Sequence, residues 1–228
     1  MSIPNIPETI AAIGGLGTAA FGLVDATKVL PWPQGGVNQI GFRLITSLVT
    51  RMTPGTAGQG LTQAKILDTL KANWFTGKDL ASQKAIAKSL IKANLSSANA
   101  PQLAKETGVD ATALQTIATS IASGTPLTAP QNDLYSRFDF ILTALLDEAY
   151  QDADQHYVNG TRTWAFVFAI VLAIAGELIV IGGPDKLTLI EFWTAFIVGV
   201  LATPLAPVAK DLTSALASAV NAMQSIKK

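Results

Sequence analysis

The sequence predicts an all-α integral membrane protein with a C-terminal transmembrane helical hairpin, a Gly-rich N-terminal membrane segment and a small soluble helical region. Three observations predict it. Trp164–Val208 reads as two apolar arms around the turn Gly182-Gly183-Pro184-Asp185-Lys186. Charged residues make up only 14% of the 228, and the mean hydropathy is +0.37. No segment carries a strand pattern, whereas apolar residues recur at helical spacing through most of the remaining chain.

The N-terminal part, residues 1–52, starts with MSIPNIPETI, which lacks the basic n-region of a cleaved signal peptide. Ile10–Val24 follows, uncharged between Glu8 and Asp25. It is short for a crossing, which takes ~20 residues. Small residues fall four apart along it: Gly14, Thr18 and Gly22 on one line, with Gly15 and Ala19 beside it. In lipid such spacing lets helix backbones approach closely, so these five residues are the expected oligomer-packing face. Gly15-Leu16-Gly17-Thr18-Ala19-Ala20 approximates a dinucleotide-binding loop. No strand–helix alternation follows it, and no acidic residue stands about 20 positions on, so that chemistry is set aside. Val29–Gly36 breaks the helix with two prolines and two glycines. Val37–Met52 then reads as an amphipathic helix, with Arg43 and Arg51 off its apolar face.

Residues 53–131 read as a small soluble helical region after the linker Thr53–Gly60. Helices are expected over Thr62–Trp74, Asp79–Asn94, Pro101–Thr107 and Asp110–Ser123. Asp79 is placed as an N-cap, and Gly108 and Gly124 as terminators. Lys84, Lys88 and Lys92 repeat every four residues, which places them on one face, either toward solvent or toward anionic headgroups. Large apolar residues are few here, so this region is expected to rest on other subunits or on the membrane part.

Residues 132–228 begin with an acidic juxtamembrane helix from Asn132 or Asp133 to about Tyr157. Its apolar stripe is Leu134, Phe138, Ile141, Leu142, Leu145, Leu146 and Ala149. Asn159-Gly160 either bends or breaks it. The arm Trp164–Ile181 carries a single charge, Glu177, and the arm Leu187–Val208 a single charge, Glu191. Neither shows the polar face that a soluble helix presents. Trp164 and Trp193 suit the headgroup layer. Pro204 and Pro207 kink the second arm, with Thr203 expected to satisfy freed backbone groups. Lys210–Lys228 is an amphipathic tail expected to pair with the acidic helix.

Leu146-Asp147, Tyr157 and Thr161 before the first arm, and Ala206-Pro207 and Asp211-Leu212 at the end of the second, resemble a family of bacterial membrane proteins of unassigned function. Those proteins carry an acidic juxtamembrane helix ending in a Trp-Tyr-Lys-Arg-Arg-Thr run, then two membrane helices. The similarity covers about residues 133–217. Here His156-Tyr157-Val158-Asn159-Gly160-Thr161 stands in place of the basic run. The resemblance implies a membrane location and brings no catalytic residue with it.

Several chemistries lack their residues. With no cysteine there is no disulfide, thiolate metal site or thiol nucleophile. A single histidine, His156, rules out a His pair for zinc. Sixteen basic residues balance sixteen acidic ones, leaving no field to draw in nucleic acid. Asp147 with Asp154, or Glu148 with Asp152, are the carboxylate pairs that face compatibly for a cation. The expected function is therefore a non-enzymatic membrane subunit that scaffolds or anchors an oligomeric assembly. Its partners are the bilayer and further subunits, with no cofactor, metal, nucleic acid or small-molecule substrate. The alternative is a channel with Glu177 near the conduction path, since an ionisable group within a membrane helix is a functional candidate. In the hairpin turn the basic residue is Lys186, while Arg162, Lys210, Lys227 and Lys228 lie at the open end. Basic residues stay cytoplasmic, so a bacterial inner-membrane location with the soluble region cytoplasmic is expected. If Ile10–Val24 crosses fully, the N-terminus is outside.

Overall fold

The computed structural model describes the backbone of residues 6–28, 35–54 and 61–226, and their side chains except at 6, 7, 210 and 212–226. Most of Val29–Gly36 and of the linker Thr53–Gly60 lies outside the described residues. The described residues form helices and no strand: α1 Ile6–Thr27, α2 Asn38–Met52, α3 Gln63–Phe75, α4 Leu80–Ala93, α5 Ala100–Thr107, α6 Ala111–Ser123, α7 Ala129–Ile181 and α8 Leu189–Ile226, with a 3-10 turn at Pro184–Lys186. Three of them are long and apolar enough to cross a membrane: Glu8–Thr27, the α7 helix, and Leu189–Ala209. By length and composition, this is a membrane protein.

The chain divides into two compact units, residues 38–157 and residues 1–37 with 158–228. These cuts fall elsewhere than at 52 and 131. In unit 38–157 the local signals set the helix ends. Thr62, Asp79 and Asp110 each accept the backbone N–H three residues on, from Lys65, Ser82 and Ala113, at 3.3, 2.8 and 2.7 Å. Gly108 and Gly124 close α5 and α6 with φ of 66° and 70°, the left-handed region open to glycine. The core is not thin, because α2 and residues 129–157 of α7 complete it. Ile45, Met52, Ile66, Leu70, Ile91, Leu103, Leu114, Phe138, Leu142 and Leu146 are all fully buried, each large side chain worth roughly 1.5–3 kcal/mol of apolar transfer. The α7 stripe read from the sequence supplies Phe138, Leu142 and Leu146 to it, and Tyr150 and Ala153 extend it by two turns. Gly41 lets α2 touch α7: a Cβ there would stand 2.5 Å from the Ala153 carbonyl oxygen and 2.6 Å from the Trp74 ring. The Trp74 indole N–H donates to the Asn38 carbonyl at 3.0 Å.

The second unit holds α1, residues 158–181 of α7, and α8. The α7 helix is continuous through Asn159-Gly160, so of the two outcomes expected there, a bend or a break, the break does not occur; one interior glycine costs a helix only about 1 kcal/mol. Gly182 and Gly183, at φ of 81° and 137°, turn the chain back. α8 then packs on α7, with Gly199 so close that a Cβ would lie 2.5 Å from Ile170 Cα. α8 runs on past Lys210 to Ile226, so the tail is a continuation and not a separate helix. Its pairing with the acidic helix falls on side chains outside the described residues.

Candidate functional site

The five small residues predicted as a packing face do not share one environment. Gly14 is buried against α8, where a Cβ would meet Ala209 Cβ and, at 2.9 Å, the Leu205 carbonyl oxygen. Gly17, which the four-residue spacing passes over, is buried as tightly against the Ala202 carbonyl and Ala206. Ala20 and Val24 continue that buried face at helical spacing. It meets the buried alanines Ala202, Ala206 and Ala209 of α8; Ala195 and Gly199 of α8 and Ala165 and Ala169 of α7 are buried too, Gly199 against Ile170 of α7. Gly14 meets Leu205 and Ala209 while Gly17 meets Ala202 and Ala206, so α1 packs across the C-terminal half of the apolar part of α8. Gly15, Thr18, Ala19 and Gly22 are exposed, and the positions a Cβ would take on Gly15 and Gly22 are open space. The Thr18 hydroxyl donates to the Gly14 carbonyl at 3.0 Å, which satisfies it within its own helix. The predicted face is thus split: Gly14 works inside the molecule, and the other four remain open.

Glu177 is partly buried and makes no ion pair or hydrogen bond among the described residues. Lys186, a few residues on, does not pair with it: its ammonium sits beside Gly182, near the carbonyl end of α7 that attracts a cation. The expectation for Thr203 also fails. Its Oγ1 is buried without any partner, although threonine in a helix commonly bonds back to a carbonyl one turn earlier.

The lysine row of α4 has a third role, neither solvated nor lipid-facing. Lys88 and Lys92 both donate to Asp139, at 2.6 and 2.7 Å, and Lys84 pairs with Asp147 at 2.5 Å. Lys88 also donates to the Thr143 hydroxyl at 3.0 Å. Lysines every four residues on one helix therefore meet aspartates eight apart on the other. This removes Asp147 from the expected cation pair with Asp154. Burial works to raise the Asp139 carboxyl, yet the hydrogen bonds from the two ammonium groups outweigh it and hold the carboxyl below its ordinary value. Burial works to lower Lys92, and its bonds to Asp139 and the nearby Tyr135 lift it above its ordinary value.

The sign of the pH dependence follows from these shifts. Asp139 contributes stability that is full above the unfolded carboxyl value, near 3.8, and is lost as pH falls through the lower folded value. Lys92 contributes stability that is full below its unfolded value, near 10.5, and is lost as pH rises through the higher folded value. Asp139→Asn is expected to lower the stability of the detergent-solubilised chain by about 1 kcal/mol, a partly exposed network being screened by water. Thermal unfolding followed from pH 3 to 9 should show the gap between the two proteins closing below about pH 4. A gap unchanged at pH 3 would mean that charge pairing is not its source.

His156 is exposed, and among the described residues no three acidic or histidine side chains converge as a metal would require. No family model matches the chain, nor does any curated protein or solved structure.

Proposed function

We propose that the protein is a non-enzymatic integral membrane subunit that scaffolds or anchors an oligomeric assembly. The observation that carries this reading is the open row Gly15, Ala19 and Gly22 on α1, left unused after Gly14 and Gly17 have been taken up by α8. Backbones approach closely where side chains are this small, and in lipid such contacts are a main source of helix association. Exposed Phe166, Val171, Ile179, Val180, Leu189 and Ile190 support a lipid surround. The particle mass in mild detergent tests it. Wild-type protein is expected to run as an oligomer and Gly15→Leu/Gly22→Leu to shift toward the monomer, with the internal fold retained. A monomeric wild type would remove the reading.

Residues 164–181 of α7 and Leu189–Ala209 of α8 support two crossings by length and composition, and Glu8–Thr27 of α1 is long and apolar enough for a third. The basic residues favour a bacterial inner membrane with unit 38–157 cytoplasmic. A channel with Glu177 beside the path is the second reading, favoured by the absence of an ion-pair partner for that carboxylate among the described residues.

A further inference from the structure

We propose that the groove between α1, α7 and α8 binds one anionic phospholipid, its acyl chain along the apolar wall and its phosphate on Arg162. This rests on the membrane reading above. The groove is walled by Phe21, Phe166, Pro204 and Pro207, with Arg162 and Thr203 as its main polar groups, and has a volume of about 520 Å³. That falls within the roughly 300–1,000 Å³ of ligand clefts.

Three features point to a lipid with a negative headgroup. The first is charge. Among the described residues Arg162 is the only charged side chain on the wall, and no carboxylate pairs with it. A guanidinium offers a fork of donors that fits phosphate oxygens two at a time. The second is depth. Arg162 stands two residues before exposed Trp164, where the apolar run of α7 begins, which sets the guanidinium at headgroup level and the aromatic wall below it. The third is unmet hydrogen bonding. Thr203 Oγ1 is buried with no partner, and Pro207 has no N–H to offer the Thr203 carbonyl one turn back. A buried hydroxyl left unpaired is costly. Turned about χ1 into the groove, that hydroxyl would donate to an ester carbonyl of the lipid, which lies between headgroup and chain.

The experiment uses the full chain purified in a neutral detergent, exchanged against equal amounts of phosphatidylglycerol and phosphatidylcholine and examined by native mass spectrometry. One phosphatidylglycerol per protomer is expected to be retained in preference to phosphatidylcholine. Arg162→Gln is expected to reduce that preference about tenfold, the loss of one charge-assisted pair, and Arg162→Lys to keep part of it. Thr203→Leu, which fills the groove, is expected to reduce retention of both lipids. Glycerol phosphate, with no acyl chain, is expected to leave the bound lipid in place. Equal retention of the two lipids by the wild type, an unchanged preference in Arg162→Gln, or displacement by glycerol phosphate would overturn the proposal. A protein that stays folded and dispersed in plain buffer would instead overturn the membrane reading beneath it.

Discussion

A cysteine placed at Asp185 is expected to react with an impermeant thiol reagent added to intact cells, while one at Gln102 stays unlabelled until the membrane is opened. The chain has no cysteine of its own, so each variant carries one reporter. Asp185 is exposed in the turn between α7 and α8. Gln102 lies on α5, in unit 38–157. A cysteine at Ser2 reports whether α1 crosses as well. Glu8–Thr27 is long and apolar enough to do so, and the charge pair Asp25–Lys28, at 2.6 Å, stands at its C-terminal end, where a crossing would set it among headgroups. The readout is all or none. Labelling of Ser2→Cys from outside would make α1 a third crossing, protection would leave two, and labelling of Gln102→Cys from outside would invert the orientation.

Gly17→Leu is expected to be the most damaging single change in the second unit. The Cβ alone would run into the Ala202 carbonyl, a backbone atom that cannot swing away, and the leucine adds three further carbons. Overpacking of this kind costs about 1–3 kcal/mol and more where backbone blocks relief. Release of α1 should appear as faster amide hydrogen exchange over Ile6–Thr27 and a lower thermal midpoint in detergent. Gly15→Leu is the matched control: two positions away, with open space around it, it should leave exchange in α1 of the detergent-held monomer unchanged. If both variants behave alike, the α1–α8 contact is not what holds the helix.

The helices of the first unit were legible because their signals are local. Asp79 and Asp110 reach only three residues ahead, Gly108 and Gly124 need only their own φ, and the α7 stripe repeats within one element. What stayed hidden depends on a distant partner. In Ile10–Val24 nine of fifteen positions are Gly, Ala or Thr, so spacing cannot choose between the Gly14–Thr18–Gly22 line and the Gly14–Gly17–Ala20 line; the alanine row of α8 makes the choice. The α4 lysines look like any solvated face until Asp139 and Asp147 are placed opposite. That match was available in the sequence, since an eight-residue interval fits two four-residue steps. At Asn159-Gly160 the sequence left break and bend open, and the break loses because a weak breaker yields to long helix on both sides. Thr203 shows the limit most plainly, for no pattern in the chain foretells a hydroxyl that ends without a partner.

The face that α8 turns toward α1 has a thermodynamic character of its own. Ala202, Ala206 and Ala209 have no side-chain rotamers to freeze, and neither have Gly14, Gly17 and Ala20 across from them. The centre of this contact therefore closes with little loss of side-chain entropy, where each long side chain would forfeit up to ~2 kcal/mol. It also leaves few soft atoms there to absorb a misfit. The joint has low entropic resistance to forming and little tolerance for being altered, so it behaves as a fixed spacing between backbones and not as an adjustable packing surface.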